Sequence, residues 1–224
     1  MKTLLYTICL LFFLSGCQNV QAKNLGKAES DLLKSISNAD IVLLKKDWPE
    51  EKILNVPFVM QAPLANWEIH NESCEEAGIL LANYYYLDQP LSKEQANQEL
   101  LEMVDFEKKQ YGGEFDIYAQ GMGQLASDYY GYNDFRVLEG NVDNIKKEIN
   151  NDNPVIVPTT AAYLKPEKSD YPEMGYHVVV VVGYNRRGFV THDPGTYSGE
   201  NFTYSYSALQ NAMKDYDSEV LVLK

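Results

Sequence analysis

Cysteine and histidine are scarce, three of each in 224 residues. Cys9, Cys17 and Cys74 with His70, His177 and His192 contain no Cys-x-x-Cys and no His-Glu-x-x-His spacing, so a zinc-type ligand set is absent from the pattern. Internal repeats and low-complexity segments are also lacking. Gly121-Met122-Gly123 has neither a preceding strand nor the third glycine of a dinucleotide loop, so packing or a kink explains it better. Basic residues are in deficit: 19 Lys and Arg face 32 Asp and Glu, for a net charge of −13. Such an acidic surface repels nucleic acid and anionic lipid headgroups, and nucleic acid is not an expected partner.

The apolar run at the N-terminus is short. Lys2 precedes apolar residues 4–14, and Leu14-Ser15-Gly16-Cys17 closes the stretch with small residues before a cysteine. A membrane-spanning helix needs about 20 apolar residues. The pattern instead predicts a bacterial lipoprotein signal peptide over 1–16, lipidation of Cys17 and a position outside the cytoplasm, tethered to a membrane. An ordinary signal peptide or a true anchor is the alternative. Residues 17–50 then read as a polar tether and N-terminal extension, with a short helix within 28–46, and residues 51–224 as one domain.

Removal of Cys9 with the signal peptide and lipidation of Cys17 would leave Cys74 as the one thiol of the mature chain, with no internal disulfide possible. An unpaired thiol in an exported protein is either buried and inert or used. With 45% hydrophobic and 12% aromatic residues, 17 of them tyrosines, the chain can build one core and line a groove.

Cys74 stands between a proline-punctuated, strand-like segment carrying Gln61 and a strongly apolar helix-forming run over 77–86. It thus falls in the first turn of a helix, where free N–H groups favour a thiolate. Ser73 and Glu76 match a Ser-x-x-Glu capping box. Glu75 and Glu76 set two negative charges beside the thiol and act against the helix dipole, less so if Glu76 caps and Glu75 faces solvent. A cysteine nucleophile needs a base, and the base needs an orienting group. His177 precedes the unbroken valine run 178–182, and Asp193 follows one strand, a turn and a return strand later, in Thr191-His192-Asp193-Pro194-Gly195. His192 adjoins Asp193 but alternates to the other face of a strand. His70, on the approach to Cys74, reads as a surface residue.

The ordered set Asn55-Val-Pro-Phe-Val-Met-Gln61, Asn66-Trp67, Ser73-Cys74-Glu75-Glu76-Ala77-Gly78, Tyr176-His-Val-Val-Val-Val-Val-Gly-Tyr184 and Asp193-Pro194-Gly195 resembles the double-glycine leader peptidases that process bacteriocins, and more closely their stand-alone relatives in the papain-like clan. The resemblance runs from residue 53 towards the C-terminus. It implies Cys74 as nucleophile, His177 as base, Asp193 as orienter and Gln61 with the Cys74 N–H as oxyanion donors, and no cofactor. The family places small residues after its cysteine and is commonly fused to an exporter, so bacteriocin maturation does not follow here.

Further helices are expected over 92–110, opened by a Ser92–Gln95 capping box and stopped at Gly112-Gly113, over 118–130 with interruptions at Gly121 and Gly123, over 142–150 and over 205–216. Strands are expected over 51–60, 135–138, 154–158, 178–184, 189–192 and 219–223, with a long, function-bearing loop over 159–175. Helices first and an antiparallel sheet later give an α+β class, and the resemblance implies its papain-like version with the cysteine helix packed on the sheet. The reading is a cysteine peptidase acting on a peptide or protein. A cell-wall amide hydrolase or acyl transferase on the same scaffold, or a non-catalytic peptide-binding lipoprotein, are the alternatives.

Overall fold

The computed structural model describes residues 48–113, 116–164 and 175–224. The expectations for the signal peptide, Cys17 and the helix within 28–46 lie outside the described residues, as does most of the 159–175 loop. Pro49–Lys224 form one compact unit.

Its frame is an antiparallel sheet. The strands are β1 (Lys52–Ile53), β2 (Phe135–Glu139), β3 (Val155–Thr160), β4 (Tyr176–Tyr184), β5 (Gly188–His192), β6 (Phe202–Ser205) and β7 (Glu219–Leu223), in the order β2-β7-β3-β4-β5-β6. β3 pairs with β4 from Val155↔Val181 to Thr160↔Tyr176. Beyond that register β1 pairs with the far end of β4, Ile53 opposite Gly183. The strand expected over 51–60 is therefore only two residues long, and Leu54 adds one backbone bond to the Val182 carbonyl, 2.8 Å. Pro57 removes a ladder donor from the stretch that follows. β6 was not expected; its four residues complete the sheet beside β5.

The β-branched run of β4 is buried from His177 to Tyr184, as a strand covered on both faces must be. One cover is the cysteine helix. After the single turn α1 (Trp67–His70) comes α2 (Cys74–Tyr86), buried from Cys74 to Asn83. Gly78 lets it settle on the sheet: a Cβ there would lie 3.0 Å from Val178 Cγ1 and 3.2 Å from Ile156 Cγ2. Helices α3 (Lys93–Tyr111), α4 (Ala119–Tyr130), α5 (Val142–Asn150), α6 (Ala161–Leu164) and α7 (Tyr206–Ala212) complete the unit.

α3 starts with the expected capping box, Ser92 with Gln95, and stops at Gly112, where φ is 84°. α4 is continuous instead of interrupted, because Gly121 and Gly123 are the places where Ile117 and the Phe135 ring press on it. The C-terminal helix is shorter than expected and ends in a 3-10 turn, Lys214–Tyr216. Mixed helices and an antiparallel sheet, with the cysteine helix packed on the histidine strand, are the α+β, papain-like arrangement.

Candidate active site

Cys74 is the first residue of α2 and 5% exposed. His177 is the second residue of β4, 7% exposed, and Asp193 follows β5 fully buried. Antiparallel pairing of β4 with β5 returns the chain so that His177 Nε2 meets Asp193 Oδ1 at 2.9 Å. With Nε2 donating to a carboxylate, Nδ1 is left with the lone pair that a general base requires. The other Asp193 oxygen accepts from the Tyr204 hydroxyl at 2.6 Å, and Oδ1 also accepts from Gly195 N–H at 3.2 Å. Gly195 lies against the imidazole, where a Cβ would come within 2.6 Å of His177 Cε1. The carboxylate contact and the close Gly195 backbone both hold the ring.

The thiol is reached from the same strand, since the Val178 N–H points at Cys74 and favours its thiolate. Burial pushes the Cys74 thiol well above its ordinary value, and the Glu75 and Glu76 charges push the same way. The thiol donates to Glu75 Oε2 at 3.0 Å. Glu75 is buried rather than facing solvent, and burial raises its carboxyl to about 8. The Ser73–Glu76 capping box is absent. Ser73 makes no cap bond; its hydroxyl pairs with His70 Nδ1 at 3.3 Å. Glu76 is drawn towards Glu107 of α3, and burial raises its carboxyl too.

Gln61 is brought to this centre by its backbone, whose N–H donates to the Pro194 carbonyl at 2.9 Å, beside Asp193. Its side-chain amide donates to the carbonyls of His70, 3.0 Å, and Asn71, 2.9 Å. Both donors are thus spent bracing the loop ahead of Cys74, while Oε1 is buried without a hydrogen bond. Trp67 Nε1 donates to the Tyr197 hydroxyl at 3.3 Å, a second tie between the cysteine approach and the Asp193 loop.

The other histidines are structural. His70 is fully buried, contrary to its surface expectation, with Nε2 against Asn97 Oδ1 at 3.1 Å. His192 donates from Nε2 to the Val56 carbonyl at 2.9 Å and accepts from the Asn201 N–H at Nδ1. Those partners fit the neutral ring, and burial lowers its proton affinity. No cluster of metal-ligating side chains occurs among the described residues. Tyr204 and Glu75 were missed as site residues. The alternation in Phe202-Thr203-Tyr204-Ser205 is a strand signal that places Tyr204, whereas nothing in sequence says that Glu75 turns inward.

A cysteine at the start of a helix that packs on the strand bearing a His–Asp pair is the arrangement of the papain-like cysteine peptidase class. The Peptidase_C39-like family matches residues 53–219, three quarters of the chain, and the protein belongs to that family. A Bacillus anthracis protein assigned as a C39-like peptidase has a similar crystal structure, with a TM-score of 0.56 at 18% identity, covering 79% of this chain and 98% of the other. At that identity the likeness speaks for the fold. No curated protein matches the sequence.

Proposed function

We propose that the protein hydrolyses peptide bonds at Cys74 as a cell-surface or periplasmic enzyme, held to a membrane by lipid on Cys17. The observation that carries the reading is the buried His177–Asp193 pair, 2.9 Å, whose strand continues into the Val178 N–H at the thiol. His177 Nδ1 takes the Cys74 proton, the sulfur attacks the carbonyl, and the imidazolium gives the proton to the leaving amine; water, deprotonated by His177, then cleaves the thioester, releasing the acid and returning the proton to Cys74. Asp193 fixes the ring and its tautomer. The Cys74 N–H at the start of α2 supports the oxyanion, joined by Gln61 once its amide releases Asn71. The substrate is a peptide or protein.

The raised thiol favours a second reading, a peptide-binding protein that retains the geometry without turnover. The test is hydrolysis of a mixed peptide library, followed by mass spectrometry. Cys74→Ala and His177→Ala should each lower turnover by about a thousandfold or more. Cleavage that survives both substitutions sinks the peptidase, and bound but uncut peptides select the second reading. Palmitate labelling that is lost in Cys17→Ser tests the tether.

A further inference from the structure

Glu75 is a buried acid in contact with the sulfur, and the triad chemistry gives it no task. Its carboxyl is fixed at both ends: Oε2 accepts from Cys74 at 3.0 Å and Oε1 from the Ile117 N–H at 3.3 Å. Ile117 is locked in turn, because its carbonyl accepts from the Tyr176 hydroxyl at 2.6 Å. Tyr176 precedes His177 on β4, so the acid is braced by the strand that carries the base. This is not a surface glutamate that happens to fold back on its neighbour. Both it and Cys74 are withdrawn from water, where a hydrogen bond between them is strong and a misplaced charge is costly.

We propose that Glu75 is a second proton partner of the nucleophile: as a carboxylic acid it donates a hydrogen bond to the Cys74 thiolate, and as a carboxylate it holds Cys74 as the neutral thiol. The proposal rests on the reading of Cys74 as nucleophile.

The groups facing Glu75 decide which form prevails. On its own helix these are Cys74 and Glu76, with Glu107 of α3 behind Glu76. From the segment ahead of α4 comes Asp116, and from β4 comes Tyr176. All are acidic or neutral. Burial raises the carboxyl to about 8, so the protonated form dominates at neutral pH. In that form His177 takes the thiol proton and the sulfur keeps the electron pair. The Glu75 O–H then points at the anionic sulfur. When the pair forms the carbon–sulfur bond, the Glu75 proton stays where it is, and the imidazolium supplies the proton for the leaving amine. Above pH 8 the carboxylate faces the sulfur, two anions 3.0 Å apart are unfavourable, and the thiol form takes over.

The experiment is iodoacetamide alkylation of the full chain from pH 5 to 10, read at the Cys74 peptide by mass spectrometry. Glu75→Gln keeps a donor but cannot ionise. It should react like wild type at pH 6 and about tenfold faster at pH 9, the effect of about one pKa unit on the thiol. Glu75→Ala, which lacks the donor, should be several-fold slower than Glu75→Gln at pH 6. Superimposable wild-type and Glu75→Gln profiles overturn the proposal, and so do equal Gln and Ala rates at pH 6. Should both variants fail to fold, wild-type infrared spectra decide. The protonated carboxyl band should vanish near pH 8 and shift when Cys74 is alkylated; a band indifferent to alkylation overturns the proposal. His177→Ala in the same series separates the two claims. Unchanged reactivity there defeats the triad while leaving the Glu75 comparison to stand or fall alone.

Discussion

Two contacts decide what Cys74 and His177 can do, and both involve a neighbour in sequence or in the turn after Asp193. Glu75 meets the sulfur, and Gly195 lies flat against the imidazole. A methyl at position 195 would overlap the ring, so Gly195→Ala should tilt His177 away from Asp193. We expect kcat/KM for peptide hydrolysis to fall about tenfold or more, with about 1–3 kcal/mol lost in urea unfolding. A variant with wild-type kinetics would show that the ring is not positioned by this contact. The motif Asp-Pro-Gly is visible in sequence, but the same three letters serve any ordinary turn. Only the fold makes its glycine a wall of the site.

At the level of elements, the site depends on how closely α2 approaches the sheet. Gly78 is one helical turn beyond Cys74 on the same side, so its lack of a Cβ sets the distance of Cys74 from β4. Gly78→Val should push the helix off Val178 and Ile156. The expected result is about 1–3 kcal/mol of destabilisation, together with a kcat loss larger than any change in KM, measured by denaturant unfolding and steady-state kinetics. A stability loss with untouched kcat would mean that the helix start is anchored independently. The helices over 74–86, 93–111 and 142–150 were legible because their apolar spacing and caps are local. The second capping box formed because Ser92 and Gln95 have no competitor, whereas Ser73 is claimed by His70 and Glu76 by its burial near Glu107. β6 and the shortening of β1 depend on what lies alongside, which periodicity does not contain.

For the molecule as a whole, buried carboxyls shape the pH dependence of stability. Glu75 titrates near the ordinary 4.5 when unfolded and at about 8 when folded. Between those values the folded state holds a proton that the unfolded state has released. Its contribution to stability is full below about pH 4.5 and is lost as pH rises to 8, at about 1.4 kcal/mol per pH unit. Glu76, raised for the same reason, adds to the trend. Urea unfolding should therefore show the wild type losing stability from pH 6 to 8, and Glu75→Gln losing less. Parallel pH curves for the two proteins would contradict this. The acid excess of the composition thus acts in the interior as well as on the surface.

Sequence by itself determined the chemical inventory. Apolar runs and their order along the chain sufficed for the α+β class, and the ordered motifs around Gln61, Cys74, His177 and Asp193 carried the resemblance that implies its papain-like version, because these are local patterns and a fixed order along the chain. Tertiary structure alone decided which side chains meet. It paired His177 with Asp193 rather than leaving the aspartate as a turn cap, committed the Gln61 amide to the His70 and Asn71 carbonyls, and turned Glu75 inward onto the thiol. Partner choice and protonation depend on burial and on distances across residues far apart in the chain, and those exist only once the sheet and helix have packed.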